Sequence, residues 1–487
     1  MPYFHGAYAF IGDSVGADAS AVAGLPVYVG PLPVHLTGRP TAPLINKPIL
    51  LRNLAEAVRE VGFVDCANDK WQFPLCEAIA AHFDNAVQNV GPIVVINTLD
   101  PATMRVTPPT TAQVALVGGR GIIADLACIP STVAITDKVI GTDYTAEWNA
   151  NRQVIEIRDL SGEITSPVTV TYSKVDPDLV TADVMIGQAD DDAGIYTGLH
   201  AIKTVYQHTG IVPTMLAAPG YSDNPAVRLA MLEAADRVDG HWYVYVLTDI
   251  PTETAQTISA ARSWRDANGY DSPYEAVHWP MARKGKRVFH NSTLSAVAYM
   301  QTDAANDGIP MASASNKPID VEGYYIDGAP APAFITTQLN ALNREGIRTA
   351  AFHGGRWALW GPHTAAYRYD ADTPPSETYD SSTRMIFYIA NWFSVEYARD
   401  VDGPLSQNRA DAIINEVRAW LDGLRAAGAL VDADVAFTPG QTVGDMIYEG
   451  RFDFFSKVTP TPLVRAYVLT IAYDESALSA SIGGETV

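Results

Sequence analysis

Apolar and polar positions repeat with two different periods along this chain, and the switches between them mark out its organisation. In residues 25–97 strand-like and helix-like patterns alternate. Pro48–Leu51 is apolar, residues 54–61 and 73–83 have helical spacing, and residues 92–96 read as a short buried strand. That alternation predicts an α/β layer. After Asp100-Pro101 come short β-branched runs, among them residues 133–135, 154–157 and 168–172, separated by turn signals such as Asp159-Leu160-Ser161-Gly162. They predict a small all-β insertion of about 90 residues, closed by the acidic Asp190-Asp191-Asp192 and Gly194.

The α/β pattern then resumes with a helix over 198–208 and a strand over 214–218. Asn224 and Pro225 form an N-cap and first-turn pair opening a helix to residue 238, and a strand follows over 242–247. Another α/β segment starts near Gly323. Its clearest element is a helix over 408–427, where Ile413, Ile414, Val417, Trp420, Leu421 and Leu424 recur at helical spacing and Gly428 supplies the stop. That stripe must bury against a sheet. Three β-prone runs follow, at 431–437, 450–458 and 465–473. The first twenty residues carry an apolar stretch, Ala7, Tyr8, Ala9, Phe10 and Ile11, on a tether of small residues. The last fourteen hold too few large apolar side chains for a core, so each end reads as a loose arm beside a strand-capable run.

At 487 residues the chain is too long for one core. The expected division is an N-terminal arm (1–20), a discontinuous α/β domain (21–100 and 193–322), an inserted β domain (101–192), a C-terminal α/β domain (323–473) and a C-terminal arm (474–487). A hydrophobic fraction of 47% excludes a disordered protein, and no long apolar run or basic-apolar leader is present, so neither a membrane span nor a signal peptide is expected. The charge sum, 33 − 55 = −22, makes direct binding of nucleic acid a poor expectation. Cys66, Cys76 and Cys128 form no C-x-x-C pair, which fits buried thiols in a reducing cytosol.

Catalytic motifs fail on context. Gly12-Asp13-Ser14-Val15 matches a serine-esterase block, but none of the ten histidines has an aspartate three positions before it; Glu275 before His278 is the nearest approximation. Gly119-Arg120-Gly121-Ile122-Ile123-Ala124, with Asp137 further on, matches a dinucleotide fingerprint and offers the alternative of a cytosolic dinucleotide-binding enzyme using Gly119 and Gly121. Pro130 leaves its helix only about two turns and no βαβ unit follows, so a glycine hairpin is the expected structure. Arg283-Lys284-Gly285-Lys286-Arg287 lacks the Ser or Thr of a phosphate loop, and H-E-x-x-H is missing. His353 lies in a glycine-rich turn too loose to hold a general base. The expectation is a non-enzyme with no cofactor and no metal.

The remaining blocks resemble, over nearly the whole chain, the tail sheath proteins of contractile bacteriophages and related contractile particles such as tailocins. Phe4-His5-Gly6 resembles the family's N-terminal His-Gly block, and the segment from Pro43 through Asn46 to Leu50 its P-x-N-x-P-V-L-I segment. Residues 94–102, 196–199 and 213–220 are similar to the strands and helix flanking its variable insertion. Ser313-Ala314-Ser315-Asn316 is similar to its S-P-S-N block, with Ala314 in place of proline. Gly346-Ile347, Trp360-Gly361, the helix around Arg384, Asp402-Gly403-Pro404-Leu405 and Gly428-Ala429-Leu430-Val431 follow its order and spacing. His363 departs from it, standing before Thr364 where the family commonly has arginine.

The resemblance implies a subunit that stacks as six-membered rings in a helical cylinder around a tail tube, in contact with tube, baseplate and tail terminator proteins and without inserting into a membrane. Contraction would drive the tube through a bacterial envelope. Its place would be the tail of the virion, after assembly in the host cytoplasm. It also implies a C-terminal sheet completed by strands from neighbouring subunits. The expected exchange residues are Ala7, Tyr8, Ala9, Phe10, Ile11, Tyr467, Leu469, Ile471, Tyr473 and Leu478. Arg409, Arg418 and Arg425 are candidate tube contacts, with pairing to Asp411, Glu416 and Asp422 on the same helix as the alternative.

Overall fold

The computed structural model describes residues 24–404, 406–440 and 442–473. Three strands come first, β1 (Pro26–Gly30), β2 (Pro48–Leu51) and β3 (Ile93–Asn97). Helices Leu54–Glu60 and Leu75–Phe83 lie between β2 and β3, where the helical spacing put them. Asn53 caps the first by accepting from the Glu56 amide, so it starts where the orphan N–H groups find an acceptor.

Beyond β3 the chain leaves the layer for six strands: β4 (Arg105–Val114), β5 (Arg120–Ile123), β6 (Ala134–Ile135), β7 (Tyr144–Asn149), β8 (Val154–Asp159) and β9 (Val168–Val175). They pair antiparallel as two three-stranded sheets, β4-β9-β6 and β5-β8-β7. The fingerprint Gly119-x-Gly121 opens β5, and Val117 bridges Arg120 across a turn in which Gly118 and Gly119 have φ of 59° and 74°. No helix follows it, so the backbone amides have no phosphate cradle to form. A small hairpin, β10 (Ala189–Asp190) and β11 (Ile195–Tyr196), turns through the aspartate run.

The layer then resumes with β12 (Met215–Ala217), β13 (Tyr245–Asp249) and β14 (Glu275–His278). Next come β15 (Met281–Lys284), β16 (Arg287–Phe289), β17 (Gly323–Ile326) and β18 (Ala329–Ala331), a four-stranded antiparallel sheet in the order β16-β15-β17-β18. A hairpin, β19 (Ile347–His353) and β20 (Arg356–Trp360), follows. The central sheet has eight strands, β2-β3-β1-β12-β13-β14-β19-β20, parallel from β3 to β19 with an antiparallel strand at each end. Every residue of β1, β3 and β13 is buried, as a parallel sheet covered on both faces requires. One helical group is Leu75–Phe83 with Asn291–Ala304; another is Pro225–Ala235 with the 3-10 turn Gly198–Thr204. The sheet takes strands from both sides of residue 323, running across the expected boundary there.

Three expectations shift. The helix expected over 198–208 is a 3-10 turn followed by a short helix, Val205–Thr209. A Cβ on Gly198, whose φ is 55°, would lie 2.4 Å from the Met185 carbonyl oxygen, so that start is glycine-bound. The helix opened by Asn224 ends at Ala235, and the strand expected over 242–247 begins only at Tyr245. The reason is local: the Val244 amide donates to the Ala235 carbonyl and the Trp242 carbonyl accepts from Val238, closing a turn where pairing was expected.

Candidate functional site

The C-terminal module is built on the helix Asp380–Glu396, which is buried along most of its length. After it comes Gln407–Ala426, capped by the Ser406 hydroxyl accepting from the Arg409 amide and ended at Gly428, whose φ is 81°. Its buried face is Ala410, Ile413, Val417, Leu421 and Leu424, four of them from the expected stripe at helical spacing, with the other two stripe residues, Ile414 and Trp420, half-buried beside it. That face packs on an antiparallel hairpin, β21 (Leu430–Phe437) and β22 (Phe454–Pro460). Aromatic rings tie the pieces: Trp392 stacks on Trp420 at 5.4 Å, and Phe454 contacts both Phe393 and Phe437.

Among the described residues β21 and β22 pair only with each other, so each has an edge without a strand beside it. A two-stranded sheet is marginal in water, and an open edge offers backbone donors and acceptors to another strand. The run at 465–473, expected as a third strand, has no ladder partner among the described residues. Tyr467, Leu469, Ile471 and Tyr473 are 92%, 82%, 83% and 73% exposed. They occupy alternate positions, the period that puts side chains on one face of a strand. Ala7, Tyr8, Ala9, Phe10, Ile11 and Leu478, the other expected exchange residues, lie outside the described residues.

The three arginines of the 407–426 helix all have partners within the chain. Arg409 pairs with Asp400 and Glu416, and Arg425 with Asp422 and, at 3.9 Å, Asp432. Arg418 reaches off the helix to β21, donating to the Val435 carbonyl at 2.8 Å beside Asp434. Asp411 bonds Gln407. Pairing with Glu416 and Asp422 thus follows the helix-face alternative, while β21 supplies the partner of Arg418.

The remaining chemistry-bearing residues are tied into the structure. Glu275 is buried with Arg228, and His278 bonds the Thr248 carbonyl and the Ser295 hydroxyl. Burial, with Arg348 adding to it, pushes the His278 imidazole down to about 3. The basic run 283–287 is the turn between β15 and β16, with Lys284 on Asp320, Lys286 on Asp65, and Arg287 on Asp65 and Asp84. His353 lies at the β19–β20 turn. All three cysteines are buried and free. Among the described residues no cluster of three His, Cys, Asp or Glu could hold a metal ion, and no helix is long and apolar enough to cross a membrane.

Sequence reasoning missed what surrounds the departure at His363. Its ring stacks on Tyr367 at 3.6 Å and on Tyr379 at 5.3 Å, and Nδ1 bonds the Thr378 carbonyl. Burial first, then the Arg465 and Arg348 charges, holds it down near a pKa of about 4, against the Thr378 bond. A neutral, stacked ring occupies that position. Tyr367 and Tyr369 in turn meet Arg465, at the root of the exposed run.

The tail sheath protein of Burkholderia phage BcepMu is 26% identical to this chain over 450 residues, 87% of this chain and 89% of that protein. The tail sheath protein of Escherichia phage P2 is 23% identical over 288 residues, 58% of this chain and 68% of its own. A chain of the anti-feeding prophage baseplate, solved as a 6-fold symmetrised structure, has TM-score 0.54 at 16% identity, covering 97% of this chain and 100% of that one. A chain of the PVC sheath complex, an extracellular contractile injection system in its contracted state, has TM-score 0.55 at 13% identity, covering 98% and 99%. No family model matches.

Proposed function

We propose that this chain, a homologue of phage tail sheath proteins, is the subunit of a contractile sheath that polymerises as helically stacked hexameric rings around a tail tube. Contraction of the cylinder drives the tube through a bacterial envelope for genome delivery. The subunit works as a structural part rather than an enzyme. Its partners are other copies of itself, the tube protein, and the baseplate and terminator proteins at the two ends. It resides in the virion tail after assembly in the host cytoplasm.

The observation that carries this reading is the exposed stripe Tyr467, Leu469, Ile471 and Tyr473 beside a hairpin with open edges. A strand-patterned apolar stripe left in water has a large unrealised burial term, and an open edge supplies the hydrogen bonds to realise it. Donation between copies satisfies both. We assign residues 1–20 and 474–487 as arms, 101–192 as a domain on the outer surface, and Arg409, Arg418 and Arg425 as the tube-facing set. The work comes from a metastable long form relaxing to a better-packed short one.

Electron microscopy of the purified chain tests this. Long striated cylinders are the expected outcome. Discrete small oligomers at all concentrations, or cylinders formed equally well by a chain lacking residues 465–487, overturn it.

A further inference from the structure

The C-terminal run is held at two points, Thr461 and Arg465, ahead of the Tyr467–Tyr473 stripe. Thr461 is fixed where the 407–426 helix meets β21: its amide donates to the Ala429 carbonyl at 3.0 Å and its hydroxyl to the Gly428 carbonyl at 2.7 Å. Four residues on, Arg465 Nη1 donates to the Tyr367 hydroxyl at 3.0 Å, and its guanidinium lies 5.5 Å from the centre of the Tyr369 ring. That ring also carries the Arg344 guanidinium at 5.4 Å. Tyr367 is itself buried and stacked on His363. The contact therefore reaches from the module to the loop after β20, which belongs to the central sheet. Residues 466–473 are all exposed.

We propose that Tyr367 and Tyr369 form a guide: by gripping Arg465 they aim the Tyr467–Tyr473 stripe away from its own hairpin and toward a second copy of this chain. This rests on the assembly reading above. A strand fixed at its root samples few directions, so less freedom is lost when it docks on another copy. A loosened root lets the stripe search all round its own module, where the hairpin edge nearest in sequence competes for it. The grip sets direction rather than attachment.

Trypsin and polymerisation together test this on the full chain. Cleavage after Arg465 requires its side chain to enter the protease, which the Tyr367 and Tyr369 contacts oppose. Tyr367→Phe and Tyr369→Ala should each speed cleavage there several-fold, with cleavage after Lys457 unchanged. Arg465→Gln and Tyr367→Phe should each raise the concentration at which cylinders form by roughly threefold to tenfold, and the double variant no further than the stronger single one. Unchanged cleavage at Arg465 overturns the grip. Accelerated cleavage with an unchanged threshold overturns the guiding role. A wild-type chain that never forms cylinders overturns the assembly reading instead, which separates the two failures.

Discussion

Arg348 and Asp380 meet inside the protein with almost no water around either side chain. Asp380 also accepts from the Tyr299 and Ser313 hydroxyls, and Arg348 donates to the Gly361 carbonyl, so the pair ties β19, two helices and two loops together. Arg384 and Asp303 form a second buried pair under the same Tyr299 ring. Removing one partner leaves a charge in a medium that cannot solvate it. Asp380→Asn should therefore cost about 3–5 kcal/mol, read from the urea midpoint; a shift under about 1 kcal/mol would mean the pair is hydrated in solution. Proton linkage acts at the same scale. Burial holds His35, His82 and His363 down to about 4 and His278 to about 3, against 6.5 in an unfolded chain. The unfolded chain takes up protons the folded one refuses, so stability should fall as pH drops from 6.5 toward 4. His290 has the opposite sign. Burial lowers it, but the charge and hydrogen bond of Glu77, with Asp249 and Asp223, outweigh burial and raise it to about 10. Its contribution is complete below 6.5 and disappears as pH rises through about 10. Denaturant midpoints across pH for His82→Gln and His290→Gln check each limb: the first should flatten the acid side, the second the alkaline side. None of these partners was legible in the sequence, because residues 303 and 384 or 348 and 380 are brought together only by the sheet.

Among the elements, legibility follows period. The 407–426 helix was readable to within a residue at each end, because a stripe at helical spacing and a following glycine are local facts. Its burial supports a prediction. Leu421→Ala, in the buried stripe, should destabilise the module by about 2–5 kcal/mol and open β21–β22 to proteolysis before the central sheet unfolds. Simultaneous loss of both would show a single cooperative unit. The expected strand over 465–473 was read from the same kind of local signal, a β-prone run in which Tyr467, Leu469, Ile471 and Tyr473 stand at alternate positions. What the sequence lacked was a partner, since pairing is a property of neighbours rather than of period.

For the whole molecule, the order of the central sheet was the part furthest from view. β1 lies between β3 and β12, and β14 beside β19, so contacts span nearly two hundred positions in the first case and about seventy in the second. Buried parallel strands carry no mark in their own residues of which neighbour they take. The acidic balance, by contrast, is legible and has a consequence at this scale: a charge of −22 on every copy opposes association. Cylinders should therefore form at lower protein concentration as salt is raised through the range where the Debye length falls from about 10 Å to about 3 Å, measured by sedimentation. Replacing Leu469 and Ile471 by aspartate should leave the thermal melt of the free chain unchanged, since both are exposed, while abolishing cylinders. Polymerisation by that variant would exclude the stripe from the contact.

The indoles of Trp392 and Trp420 lie 5.4 Å apart with their planes 15° from parallel, one on the Asp380–Glu396 helix and one on the Gln407–Ala426 helix that carries the hairpin. Two chromophores this close couple their transitions, so the pair should give a bisignate band in the ultraviolet circular dichroism that vanishes when the helices separate. The molecule thus contains its own unlabelled optical gauge of whether the Gln407–Ala426 helix stays seated on the Asp380–Glu396 helix.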